Sequence, residues 1–413
     1  MTRNKSRVRL WTREFFELCV ADGSQSTVVQ MLVSAFPLYL MARGFSASEV
    51  GVVVGVYTFC CLVMRALSGG LIDSCGRRII GLIGAIIFTV PLLGFVLVPY
   101  LAVLILCRAV QGFGASAMSL CTGTMAADVL PKERFAEGIG YFGLFKTLAT
   151  AIGPALGIAL MEDGSSNLLF IVTAVAVAVT FLMIWLLNYE KTGAHPIEEE
   201  EPVSAAEEPP VVHGKFLWKF LDATAVPSSF LCFVLFFGVA AVVNFVAPFA
   251  ETMDLSYAGL FFTFEAGTMF FSRFLAARIG AKLGYYRTLM SGMLIMGVSF
   301  LLLGFVRSSA LLLFTGALYG VGCGLTWPMF NVLCLVRAPA HNRGKAVSTY
   351  YLACDAGGGV GALLCGVVID AFGYRAIFFG SAAIAALVLL LARRWHRTIP
   401  AMYGETQSPQ SEG

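Results

Sequence analysis

Apolar residues run along this chain in long continuous blocks separated by short polar joints. Residues 79–100, 101–127 and 168–189 are three such blocks, each near the roughly 20 residues a helix needs to cross a bilayer. The blocks do not alternate with period two, so they read as membrane-crossing helices and not as strands of an outer-membrane barrel. Twelve spans follow from the pattern. The first six are 14–41, 48–70, 79–99, 101–127, 136–161 and 167–189. The last six are 226–250, 257–278, 286–306, 309–335, 345–369 and 375–395.

One joint differs from the rest. Residues 190–225 include HPIEEEEPVSAAEEPP, an acidic, proline-rich stretch that reads as a flexible linker. The expected organisation is a six-helix bundle over 1–189, the linker over 190–225, a second six-helix bundle over 226–396 and a tail over 397–413.

Composition fixes the class. The 413 residues are 58% hydrophobic and 13% charged, far too little charge to cover a soluble domain of this size. The expectation is an all-α polytopic membrane protein surrounded by lipid. Met1–Arg13 is basic, but the apolar span after it is full length and has no small-residue cleavage site, so it reads as a first span and not a cleaved signal. The 11 cysteines are scattered without CxxC or Cys/His spacing and read as small apolar packing residues, with no metal site. There is no GxxxxGK[ST] loop, which argues against ATP-driven transport on this chain. No His/Asp/Glu or Ser/His constellation suggests an enzyme, and a net charge of +3 gives no basis for a nucleic-acid partner.

Charge sets the orientation. With both termini and the linker on the cytoplasmic side of the cell (inner) membrane, 21 of the 28 Lys and Arg residues fall inside. Only Arg43, Arg307 and Arg375 fall outside, and Arg65, Arg108, Lys146 and Arg273 fall within spans. That is a strong positive-inside bias.

The halves repeat each other. A shift of 208 residues aligns Gly51 with Gly259, Arg65 with Arg273, Gly76 with Gly284, and Gly84 with Gly292. It also aligns Gly112 with Gly320, Gly114 with Gly322, and Pro131 with Pro339. Two parallel six-helix repeats are the plan of a transporter class that binds substrate between its halves near the bilayer midplane.

Three motifs sit on this frame. Gly69-Gly70-Leu-Ile-Asp73-Ser-Cys-Gly76-Arg77-Arg78 joins spans two and three, Arg108-Ala-Val-Gln111-Gly112-Phe-Gly114 lies in span four, and Gly143 to Gly157 ends Ile-Gly153-Pro154-Ala-Leu-Gly157 in span five. Together they resemble the inner-loop, fourth-span and fifth-span signatures of the major facilitator superfamily, drug:proton antiporter branch. Phe262–Arg273 and Leu352–Gly366 resemble, more loosely, exporters of opine-type metallophores in that branch. The resemblance implies the major facilitator fold of twelve helices and a functional monomer. It also implies alternating-access efflux of a small organic molecule against protons, with the proton gradient and no cofactor as the driving force. A proton-coupled importer on the same fold and a non-transporting receptor or scaffold are the alternatives.

The resemblance implies a conformational latch at Gly70, Asp73, Gly76, Arg77 and Arg78. Gly70 would allow a close approach, Asp73 would face a helix N-terminus of the other half, and the arginines would bind carboxylates or lipid phosphates. The arginines also hold the loop inside, and both roles stand. Gly153 and Gly157 lie four apart on one face, so a neighbouring backbone can come close, and neighbouring helices would satisfy the carbonyl freed by Pro154.

Five ionisable residues lie deep in spans: Asp22, Arg108, Lys146, Glu265 and Asp355. A charge at such depth costs about 2.5–3.5 kcal/mol on insertion scales unless it is paired. Asp22 is the expected partner of Arg108, either as a proton-coupling pair or as a static packing pair. Lys146 and Glu265 lie at similar depth and are candidates for a pair across the halves. Asp355, beside Gly357-Gly358-Gly359, reads as a second proton or cation site, or as a carboxylate that caps local backbone. Arg65 and Arg273 are explained by snorkelling. Gln30, Tyr57, Gln111, Asn244, Tyr319, Trp327 and Asn331 are the expected cavity lining, though any of them can instead pack between helices.

Overall fold

The computed structural model describes residues 10–98, 100–131, 134–162, 166–187, 222, 224–255, 257–337 and 343–398. Twelve helices account for nearly all of them. The first half holds α1 (Arg13–Ala42), α2 (Ala47–Cys75), α3 (Arg77–Leu97), α4 (Leu101–Val129), α5 (Phe135–Glu162) and α6 (Ser166–Leu186). The second holds α7 (Val226–Thr252), α8 (Ala258–Leu283), α9 (Tyr285–Gly304), α10 (Ser309–Arg337), α11 (Arg343–Phe372) and α12 (Tyr374–Thr398). The expected linker lies outside the described residues except for Asp222, Thr224 and Ala225, as does the tail beyond Thr398.

Eleven of these helices are long and apolar enough to cross a membrane. In α8 the apolar stretch is interrupted by Glu265 and Arg273, which lowers its hydropathy. Outer faces are studded with exposed large hydrophobics such as Leu93, Phe271 and Val367, as expected where lipid and not water is the solvent.

The two halves repeat in atomic detail. Gly76 and Gly284 each cap the start of a helix with φ of +83° and +85°, a conformation that only glycine adopts without cost. A Cβ on Gly112 would stand 2.5 Å from the carbonyl oxygen of Tyr57, and one on Gly320 would collide with the carbonyl oxygen of Glu265. Tyr57 and Glu265 are themselves 208 residues apart. Likewise Gly114 lies against Phe88 and Gly84, and Gly322 against Met296 and Gly292. The glycine spacing repeated in the two halves therefore lets α4 and α10 approach their neighbours backbone to backbone, the packing that association in lipid relies on.

The halves meet along α2–α11, α5–α8 and α1–α7. Glycine again sets the distance. A Cβ on Gly51 would be 2.6 Å from the carbonyl oxygen of Ala362, and one on Gly259 would be 3.3 Å from the Cα of Ala155. These contacts lie at the end of the bundle where α1, α5, α7 and α11 finish. Both α1 and α12 have their terminal ends at the opposite end.

Candidate functional site

A cavity of about 140 Å³ with several polar side chains in its lining opens within the first half, between α1, α2, α4 and α5. From α1 it is lined by Gln25, Ser26, Val29 and Gln30. With Asp22 these form an i, i+3, i+4, i+7, i+8 stripe, one face of a helix. From α5 it is lined by Lys146 and Thr150. Their stripe continues through Gly153 and Gly157, which pack on α1. A Cβ on Gly153 would be 2.6 Å from the Gln30 Cβ, and one on Gly157 would be 2.6 Å from the Met31 carbonyl oxygen. Tyr57 and Arg65 of α2 and Ser116 and Ser119 of α4 close the remaining sides. The helix α5 runs through Pro154 unbroken, and the Ser34 hydroxyl of α1 lies 3.4 Å from the Pro154 carbonyl oxygen.

This register decides where Lys146 points. Ala155 and Ile158 form the α5 face toward Gly259 of α8. Lys146 is nine residues before Ala155, half a helical revolution away at 3.6 residues per turn. It therefore faces α1 and the cavity, within electrostatic range of Asp22 and Asp355, and not Glu265. Glu265 is 7% exposed, in a region of the second half near Tyr319 and Cys323. The structure brings Lys146 and Glu265 onto facing helices but does not bring them together.

The expected Asp22–Arg108 pair is not formed. Asp22 accepts a 2.9 Å hydrogen bond from the Thr122 hydroxyl of α4. Arg108 donates to the Gln111 side chain at 2.8 Å and to the Leu32 carbonyl at 3.3 Å. Its guanidinium carbon lies 3.7 Å from the centre of the Phe36 ring and 5.2 Å from that of Tyr57. The physical reason is antiparallel register. Along α1 and α4, residue 22 lies opposite 122 and residue 32 opposite 108. Asp22 and Arg108 are therefore at opposite depths. A cation held over aromatic faces gains about 2 kcal/mol or more when desolvated, which takes the place of the missing carboxylate. Gln111 is fully buried as the partner of Arg108 and does not line the cavity.

Charges also join the halves. Arg65 of α2 pairs with Asp355 of α11 at 2.9 Å. Arg65 is thus more than a snorkelling residue, and Asp355 contacts a side-chain cation where a backbone cap was one expectation. At the far end of the same two helices, the Asp370 carboxylate accepts from the backbone N–H groups of Ala47 and Ser48, each at 2.9 Å, and from the Ser48 hydroxyl. Asp370 thereby caps the N-terminus of α2 from the other half. Within the first half, Arg77 pairs with Asp128 at the end of α4. Arg78 donates to the carbonyls of Ile184, at 3.3 Å, and Trp185 at the end of α6. The Asp73 side chain lies outside the described residues, while the Gly70 backbone continues α2.

The remaining second-half candidates pack rather than line this cavity. Asn244 is buried and donates to the Ala240 carbonyl of its own helix at 3.0 Å. Tyr319 is fully buried with its ring 5.6 Å from that of Phe300. Trp327 lies under Arg273, whose guanidinium carbon is 5.9 Å from the ring centre, and Asn331 is half-buried. Sequence reading missed Gln25, Ser26, Ser116, Ser119 and Thr150 as lining residues, and Asp128 and Asp370 as charge partners. The α1 stripe was readable from Asp22 and Gln30 at helical spacing. The hydroxyls carry no signal of their own in a membrane helix. Among the described residues no group of three or more His, Cys, Asp or Glu side chains is placed to hold a metal.

Comparison with known proteins places this architecture. The multi-drug resistance efflux pump PmrA homolog of Lactococcus lactis subsp. lactis is 24% identical over 92% of this chain and 93% of its own. The staphylopine export protein of Staphylococcus aureus is 22% identical over 84% of this chain and 87% of its own. The solved structure of a bacterial homolog to the human lysosomal transporter Spinster superposes with a TM-score of 0.75 at 15% identity, covering 96% of this chain and 98% of that one. The family model described as Major Facilitator Superfamily matches residues 18–272 and 230–409. A twelve-helix, two-repeat, multi-pass membrane fold with this match along both halves makes the chain a secondary transporter that belongs to the Major Facilitator Superfamily.

Proposed function

We propose that this transporter exports a small organic molecule in exchange for protons, by alternating access around the cavity between α1, α2, α4 and α5. The observation that carries the reading is an accessible ammonium, Lys146, in the cavity lining, within electrostatic range of a buried carboxylate, Asp22, that lies one turn before Gln25 on the cavity-facing side of α1. A carboxylate there can hold either a proton or a substrate cation, and exclusive occupancy is the basis of exchange. The efflux direction is supported by the efflux pump and exporter among the relatives.

In this reading Asp22 and Glu265 are the proton-carrying carboxylates, and Lys146 holds substrate. The Asp370 cap favours the state in which the halves close at the end opposite the termini, and Arg65–Asp355 holds α2 to α11 nearer the other end. Gly70, Asp73, Gly76, Arg77 and Arg78 serve the reverse state as a latch, and Gly153, Pro154 and Gly157 seat α5 on α1. The protein sits in the cell (inner) membrane with both termini cytoplasmic, as the 21 inward Lys and Arg residues favour. The two bundles divide at the 190–225 linker.

The test is a pH jump across proteoliposomes of the full chain that contain a pH-sensitive dye, with a panel of organic cations, zwitterions and anions. At least one compound should move protons in the direction opposite to its own flux. Proton flux in the same direction as the compound, or flux with no proton movement, would sink antiport.

A further inference from the structure

Two kinds of unmet hydrogen-bonding demand meet at the cavity and just beyond its lining. On the α1 side the unmet groups are acceptors. Asp22 is 3% exposed and Gln25 is 2% exposed, and Asp22 Oδ2 and Gln25 Oε1 have no hydrogen-bond partner. Gln25 spends its amide N–H on the Ala115 carbonyl at 3.2 Å, which fixes the side chain with its oxygen unmet. Gln25 lines the cavity, and Asp22 lies one turn before it on the same face of α1, just beyond the lining. A buried acceptor left without a donor is destabilising, so this side of the cavity suits a ligand with several N–H donors and a positive charge.

On the α5 side the unmet group is a donor. Lys146 is exposed into the cavity and, among the described residues, forms no ion pair within 4 Å. Arg65, the other cation of the lining, is already committed to Asp355. Lys146 thus offers three N–H donors and a full charge at the wall opposite Asp22. Ser116, only 3% exposed and with its hydroxyl unpartnered, lies on the α4 side.

We infer that the cavity takes a zwitterion, with the substrate ammonium received by Asp22 and Gln25 and the substrate carboxylate received by Lys146 and Ser116. A simple cation would satisfy Asp22 but would bring a like charge up to Lys146. A simple anion would satisfy Lys146 but leave the two buried acceptors unmet. Only a ligand with both groups meets both demands, which is how a site rejects an analogue lacking one polar group. The apolar part of such a ligand would lie against Tyr57 and Val29, which also line the cavity. This inference names the substrate class of the proposed exchanger and rests on the same cavity.

Three probes of one scaffold separate the possibilities: L-phenylalanine, its amide as the cation, and N-acetyl-L-phenylalanine as the anion. Binding to the purified full chain in detergent should be at least tenfold tighter for L-phenylalanine than for either analogue. Lys146→Gln should bring L-phenylalanine and the amide within about threefold of each other, and Lys146→Arg should keep the tenfold gap. Asp22→Asn should bring L-phenylalanine and N-acetyl-L-phenylalanine within about threefold. Equal binding of the three probes, no binding of any, tighter binding of the amide, or a preference that survives Lys146→Gln would overturn the inference. Zwitterion preference without proton movement in proteoliposomes would leave this site standing and remove antiport. Proton antiport of a compound class in which the amide wins would do the reverse.

Discussion

The contact between Asp370 and the start of α2 sets how firmly the halves close at the end opposite the termini. Asp370 sits near the end of α11, and its carboxylate accepts two backbone N–H bonds of 2.9 Å from the first turn of α2, plus the Ser48 hydroxyl. It acts as an N-cap contributed by the other half, and caps of this kind are worth about 0.5–2 kcal/mol. The carboxylate is exposed, so water screens it, and about 1 kcal/mol is the appropriate figure. Because the bonds cross between halves, Asp370→Ala removes that energy only from the closed state. A loss of about 1 kcal/mol changes the closed-to-open ratio by roughly fivefold. Spin labels at Ala42 and Phe372, exposed positions on opposite halves at this end, report the separation by double electron–electron resonance. Wild type should give a dominant short distance. Asp370→Ala should raise the weight of a longer distance about fivefold, whereas Asp370→Asn, which keeps an acceptor, should fall between. An unchanged distribution in Asp370→Ala would mean that the cap does not hold the halves together at this end.

The other predictions follow from equally local contacts. Gly157→Leu places a side chain where even a Cβ would be 2.6 Å from the Met31 carbonyl oxygen, so α5 must leave α1. Overpacking of this kind costs about 1–3 kcal/mol, and the thermal midpoint of the purified chain should fall. Arg65→Asp and Asp355→Arg should each impair transport in proteoliposomes, and the double swap should restore at least part of it. Two single defects that simply add would argue against the 2.9 Å pair. Arg108→Lys removes the donor to Gln111 or Leu32 and the flat guanidinium over Phe36. It should lower the thermal midpoint measurably, because lysine does not substitute at a stacked, multiply bonded site.

How much of this was legible in the sequence depends on the length scale. The twelve helices follow from the apolar blocks, and the 208-residue repeat is matched by Gly76 and Gly284 at nearly equal positive φ. The aligned glycines Gly112 and Gly320 turn out to carry the tight α2–α4 and α8–α10 contacts. Pairing of buried charges was not legible from depth alone. Asp22 and Arg108 were matched without the antiparallel register that places residue 22 opposite residue 122. Lys146 and Glu265 were matched by depth without the half-revolution that separates Lys146 from Ala155. That offset could have been read, since Lys146 is seven residues before Gly153 and so shares its α1-facing stripe. Asp370 and Asp128 gave no such signal, because a carboxylate at a helix end is ordinary until the partner helix is placed beside it. Gln111 and Asn244 turned inward because each finds a bond inside the bundle, which polarity alone does not disclose.

If protons and substrate compete at Asp22 beside Lys146, net transport and exchange separate when that carboxylate is removed. Proteoliposomes bearing wild type or Asp22→Asn would be given the panel compound that drives proton movement in the wild type, in radiolabelled form. Two rates would be compared: accumulation driven by a pH gradient, and exchange of labelled for unlabelled compound with no gradient. With a site that no longer takes a proton, Asp22→Asn should lose gradient-driven accumulation while still exchanging, at the higher compound concentration that its weakened ammonium contact requires. Gradient-driven accumulation at the wild-type rate in Asp22→Asn would mean that Asp22 is not where protons and substrate compete.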